Sequence, residues 1–295
     1  MTHALERVLA LACWTGPVVP EPLGGGITNV NFKVVDGAGA YVVRIGEDIP
    51  IHQVMRFNEL AASRAAHEAG LSPEIVHAEP GAIVMRFIEG KTLGARDVRA
   101  PGMLERIVPL LRTCHSELPR YLRGPALAFW VFHVLRSYAH ALRDGGSVHL
   151  NKLDRLLAVA ADLERAVGPA VTVFGHNDLL AANLIDDGDR LWLIDWDYAG
   201  FNSPLFDLAN LASNNELERD QERHLLALYF GRAPDRDLLG HYGAMKCASL
   251  LRETMWSMVS EIHSDLDFDY PAYTRENLDR FERALSAFND ENTTP

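Results

Sequence analysis

The sequence predicts an α+β protein: a small antiparallel sheet followed by a larger, mainly helical part. Three observations predict this. Runs that alternate or concentrate apolar residues crowd into the first ninety positions, at 30–35, 41–45 and 82–85. From 103 to 167, and again after 251, apolar residues recur at helical spacing. Between these tracts, 184–194 reads as two apolar runs around an Asp-Gly pair, which is a hairpin signal.

Composition narrows the function classes. A chain of 295 residues can bury a full core. Its formal net charge of −12 argues against a nucleic-acid partner, because phosphate backbones are held through Lys and Arg. The same acidity suits a small cation. No apolar stretch approaches the roughly 20 residues of a membrane span. The N-terminus lacks a signal-peptide pattern, and Cys13, Cys114 and Cys247 are far apart without metal-ligand spacing. Reduced thiols in a cytoplasmic protein are expected.

The elements follow in order. Residues 4–13 suggest a short helix, ended by Pro17, Pro20 and Pro22. Gly24, Gly25, Gly26, Ile27, Thr28 and Asn29 precede the first strand. Glycines there let backbone N–H groups approach phosphate without a Cβ in the way, so the loop is a candidate nucleotide lid. It lacks the G-x-G-x-x-G spacing of a dinucleotide site. Asp36-Gly37 turns the chain into the strand that carries Arg44. Residues 51–69 form a helical stretch bearing Glu59 and closed by Gly70. Pro109 should start or kink a helix. Val131, Leu135, Tyr138 and Leu142 form one apolar stripe, and Leu153, Leu156, Ala160 and Leu163 another. His115, His133, His140 and His149 share no metal spacing and read as structural. Leu251, Met255, Met258 and Ile262 mark a buried helix face, and a last helix carries Leu278, Phe281 and Leu285.

Three polar residues at 174–195 carry the chemistry. Asp178 lies in a loop opened by Gly175, Asn183 follows five positions later, and Asp195 ends the hairpin. His176-x-Asp178-x4-Asn183 has the spacing of a kinase catalytic loop, in which Asp is the base and Asn a metal ligand. Asp195 falls where a second metal-binding Asp would fall. Mg²⁺ takes one or two hard side-chain oxygens and completes its shell with phosphate and water. Arg44 stands where such enzymes keep a phosphate-binding Lys, and a guanidinium can bridge two phosphate oxygens.

HNDLLAAN followed by LIDWDYAGFNSPLFDLAN resembles the aminoglycoside-phosphotransferase superfamily and, within it, the choline/ethanolamine kinases. The resemblance implies a two-lobed protein-kinase-like fold. Residues 1–90 would be the nucleotide-binding lobe and 91–295 the catalytic and substrate-binding lobe, with a hinge at 86–90. It implies ATP and Mg²⁺ as cofactors and a small cationic alcohol as substrate, choline or ethanolamine first. Thiamine or an aminoglycoside is the alternative acceptor, and a non-catalytic nucleotide-binding relative is the other class.

The resemblance also distributes roles. Asp178, Asn183 and Asp195 would be catalytic, the last two as metal ligands. Gly25, Gly26, Thr28, Asn29 and Arg44 would hold phosphates, with Glu59 paired to Arg44. His176 and Asp207 would organise the catalytic loop. Tyr198, Trp256, Phe268 and Tyr273 match positions of an aromatic cage, whose ring faces attract a cation. Asp178 and Asp197 complete the expected substrate contacts, with Glu253. Two departures stand out: Glu253 replaces a second cage Trp, and Asn214 replaces an acidic residue.

Overall fold

A computed structural model describes residues 2–24, 29–37, 39–264 and 266–293. The calls on Gly25, Gly26 and Thr28 lie outside the described residues. Helix α1 (Thr2–Ala10) packs on an antiparallel sheet of β1 (Glu21–Leu23), β2 (Val30–Asp36), β3 (Gly39–Ile45), β4 (Ile75–Glu79) and β5 (Ala82–Arg86). The strand order is β1-β2-β3-β5-β4. Alternation turns Phe32, Val34, Tyr41, Val43 and Val84 toward Ala4, Val8 and Leu11, giving the smaller core. The same period sends Arg44 to the opposite face, in register with Asn31 and Ile83.

The helix expected from residue 51 begins later, as α2 (Arg56–Glu68). Pro50–His52 make one 3₁₀ turn, and Gln53 at φ 61° interrupts the helical path. Asp48 Oδ1 then accepts the Arg56 N–H at 2.7 Å and supports the new start. The apolar side of α2, with Ala62, Ala65 and Ala66, belongs to the larger core.

After Gly90, β6 (Lys91–Thr92) leads through α3 (Ala95–Val98), α4 (Met103–Ser116), α5 (Val131–Asp144) and α6 (Leu150–Val167) to β7 (Val173–Gly175). Strands β8 (Leu184–Asp186) and β9 (Leu191–Leu193) form the expected hairpin, and β6 pairs with β8. Strand β10 (Gly200–Asn202) pairs with β7. Helices α7 (Pro204–Asn214), α8 (Arg219–Phe230), α9 (Arg236–His263) and α10 (Tyr270–Thr293) complete the chain. Pro109 sits inside α4 rather than at its start, on the exposed side of the helix. A Cβ on Gly90 would lie 2.7 Å from the Asp186 carbonyl oxygen, so the chain passes β8 as bare backbone.

Helix α9 organises the helical part by packing against α5, α6, α7 and α10. It is buried on most sides from Tyr242 to Ser260. Its polar residues there are mostly small and bond within the helix: Thr254 to the Leu250 carbonyl, Ser257 to Thr254, Ser260 to Trp256. That is how a helix with polar residues tolerates full burial.

Candidate active site

The loop after β7 is held from below by one carboxylate. Asp207, in the first turn of α7, accepts the His176 N–H at 2.8 Å, the Asn177 N–H at 2.7 Å and the His115 Nε2–H at 2.9 Å. Burial pushes the Asp207 carboxyl up, but the His115 hydrogen bond and neighbouring imidazoles pull it below its usual range. Asn177 is left-handed at φ 65°, and its side chain bonds the Tyr198 and Gly200 carbonyls. A Cβ on Gly175 would meet Asn177 Oδ1 at 2.9 Å and Asp207 Oδ2 at 3.1 Å, so glycine makes room for the brace.

His176 is buried and works as a spacer. Its Nε2–H donates to the Ile194 carbonyl at 2.9 Å, which leaves Nδ1 to accept the Asp178 N–H at 3.3 Å. Burial lowers its pKa and keeps the ring neutral. Asp178 is thus presented on a fixed backbone. Its carboxylate has no hydrogen bond or ion pair among the described residues. Burial raises it to about 8; Arg252 opposes that shift, and Glu253, Asp195 and Asp197 add to it. Asn183 Nδ2 donates to the Asp178 carbonyl at 2.9 Å, which fixes the amide with Oδ1 left for another ligand.

Asp195, at φ 70°, meets an arginine network from the sheet side. Arg44 Nη1 donates to Glu59 at 2.7 Å, Asp195 at 2.8 Å and Asp197 at 3.1 Å. Arg56 Nη1 reaches Glu59 at 2.6 Å and Asp197 at 2.8 Å. Asp197 also accepts Asn29 Nδ2 at 3.1 Å. Burial works against the Arg44 charge, but Asp195, Glu59 and Asp197 hold it firmly protonated. The network engages Asp197 on the N-terminal side, so it is a carboxylate of the arginine cluster rather than a free substrate contact. Two arginines face three carboxylates, which leaves the cluster suited to a further cation. The open Asn183 Oδ1 and the Asp195 carboxylate are hard oxygens of the kind Mg²⁺ prefers. Both line a cleft of about 360 Å³ with Leu23, Val42, Arg44 and Phe87.

The four expected rings form one connected group. Trp256 Nε1 donates to the Tyr198 hydroxyl at 3.0 Å. The rings of Trp256 and Tyr273 are 6.4 Å apart, and those of Phe268 and Tyr273 5.6 Å. Phe268 is the exposed member, while Tyr198 and Trp256 are buried. Glu253 is less free than the sequence suggested. Its Oε1 accepts the Tyr273 hydroxyl at 2.8 Å, and its Oε2 accepts Arg252 Nη1 at 2.9 Å.

The sequence reading missed Arg56, His52 and Arg252. Arg56 follows the left-handed Gln53, and a helix expected from 51 hides its place at the true helix start. His52 inserts between α5 and α9: its ring lies 5.3 Å from Trp256, Nδ1 faces the Tyr138 hydroxyl at 3.4 Å, and Nε2 faces Ser260 Oγ at 3.2 Å. Burial drops it to about 3, so it stays neutral. Cys114, His115 and Asp207 cluster closely enough to suggest a metal. Their atoms are already committed, to the Phe174 carbonyl, the Tyr229 hydroxyl and the His176 N–H.

Residues 20–242 match the model of the phosphotransferase enzyme family. The chain belongs to this family. It is similar to protein LicA of Haemophilus influenzae, 24% identical over 88% of this chain and 78% of that protein. It is also similar to ethanolamine kinase 2 of Rattus norvegicus, 25% identical over 84% of this chain and 71% of the relative. A solved choline/ethanolamine kinase family protein of Mesorhizobium loti superposes with a TM-score of 0.78 at 27% identity, over 98% of this chain and 97% of that one. The α+β, two-lobed kinase-like fold expected from the sequence is the fold observed. No helix among the described residues is long and apolar enough to cross a membrane.

Proposed function

We propose that this phosphotransferase moves the γ-phosphoryl group of ATP, with Mg²⁺, onto the hydroxyl of a small amino alcohol of the choline or ethanolamine class. The observation that carries the reading is Asp178. Its carboxylate has no hydrogen-bond partner among the described residues, it feels the charges of Asp195 and Asp197 as well as those of Arg252 and Glu253, and its carbonyl holds Asn183. In this reading Asp178 orients the acceptor hydroxyl and takes its proton as oxygen bonds to phosphorus and the bond to ADP breaks. Asn183 and Asp195 would hold the metal, which supplies charge neutralisation on the phosphates. Arg44 would bind phosphate oxygens, with Glu59 fixing its rotamer. The rings would receive the amine, as the names of the relatives suggest. Gly90 is the proposed crossing between lobes 1–90 and 91–295.

The test is a coupled ADP-release screen over choline, ethanolamine, thiamine and an aminoglycoside, with the phosphorylated product identified by mass. Turnover confined to the first two supports the reading. Turnover with thiamine or the aminoglycoside alone would transfer the same site to a larger alcohol.

A further inference from the structure

Arg252 is a fully buried guanidinium at the acceptor end, and the reading above leaves it unused. It lies over the face of Tyr198, 4.3 Å from the ring centroid, and 5.5 Å from that of Phe129. Its Nη1 donates to Glu253 Oε2 at 2.9 Å, while Nε and Nη2 meet no acceptor among the described residues. A cationic alcohol would seek the same two features: a negative ring face and a carboxylate. Here the protein already supplies a cation to both. One flank of Trp256 lies against His52, and its N–H is spent on Tyr198.

We propose that Arg252 is a specificity-determining residue: a resident counter-cation that makes the acceptor pocket select a primary ammonium over a quaternary one. This rests on the amino-alcohol reading above. The chemistry distinguishes the two head groups. A quaternary ammonium has no N–H and gains only from open ring faces and uncompensated negative charge. Arg252 reduces both. A primary ammonium has three donors, and each oxygen of Glu253 keeps a second lone pair beyond the Tyr273 and Arg252 bonds. Such a head group can still be hydrogen-bonded in a pocket whose diffuse charge is cancelled.

The test uses bare cations, so that binding is read without turnover. Tetramethylammonium and methylammonium are titrated into wild type, Arg252→Met and Glu253→Gln by calorimetry, with circular dichroism as the fold control. In Arg252→Met, tetramethylammonium should bind at least about fivefold more tightly, while methylammonium gains less. In Glu253→Gln, Arg252 is left uncompensated, and both cations should bind more weakly. If a folded Arg252→Met binds both cations as wild type does, the inference is overturned. Should that variant fail to fold, unchanged binding of both cations by Glu253→Gln overturns it equally. Phosphorylation assays on choline and ethanolamine separate the two ideas. Cation binding that follows Arg252 without turnover of either alcohol removes the proposed function and leaves the role of Arg252. Turnover of ethanolamine with cation binding indifferent to Arg252 does the reverse.

Discussion

Asp178 carries opposing demands. As the proposed base it must be ionised, yet burial raises it to about 8. An unfolded Asp titrates near about 3.9. Between those values the folded chain holds a proton that the unfolded chain has released, so stability falls as pH rises across that window. Asp178→Asn has no such proton to lose. Its thermal midpoint should therefore gain on wild type from about pH 4 to about pH 8 and level off above, as calorimetric scans at several pH values would read. The same variant should lose roughly 10²–10⁴ in kcat with little change in nucleotide binding. Wild-type turnover by a folded Asp178→Asn protein would send the acceptor proton elsewhere. Asp195→Ala tests the other end: calorimetric affinity for Mg·ATP should drop, and unchanged affinity would remove Asp195 from the metal site.

At the level of elements, the start of α7 holds the loop that precedes β8. Asp207→Ala leaves the His176 and Asn177 N–H groups and His115 without their acceptor. Breaking a buried pair of this kind costs about 3–5 kcal/mol, to be read by urea unfolding at neutral pH. Asp207→Asn keeps an acceptor for one N–H and should lose less. The elements were legible to different depths for physical reasons. The strand of Arg44 and the β8–β9 hairpin announce themselves through alternation and turn residues. The late start of α2 did not, because Gln53 carries no sequence mark of a left-handed backbone. The catalytic spacing is local and could be read directly. Arg252 could not, because a residue one position before Glu253 on a buried helix reads as a surface charge until the rings around it are placed.

Across the whole molecule, the N-terminal and C-terminal sides meet through charge. Arg44 and Arg56 come from the N-terminal side, Asp195 and Asp197 from the C-terminal side, and Asn29 joins them. A ligand that bridges this seam stabilises the folded chain by mass action. Mg·ATP at a hundred times its dissociation constant should add about 2.7 kcal/mol to wild type. Arg44→Ala and Asp195→Ala should show little of that gain in thermal-shift titrations. Both responding as wild type does would place the nucleotide outside the cleft. The 3₁₀ turn at Pro50–His52 adds a mechanical link to this seam. It leaves the sheet five residues after the strand of Arg44 and lodges an imidazole behind Trp256. The small sheet and the Trp256 side of helix α9 are therefore tied by two separate fastenings, the arginine cluster in front and this one imidazole behind.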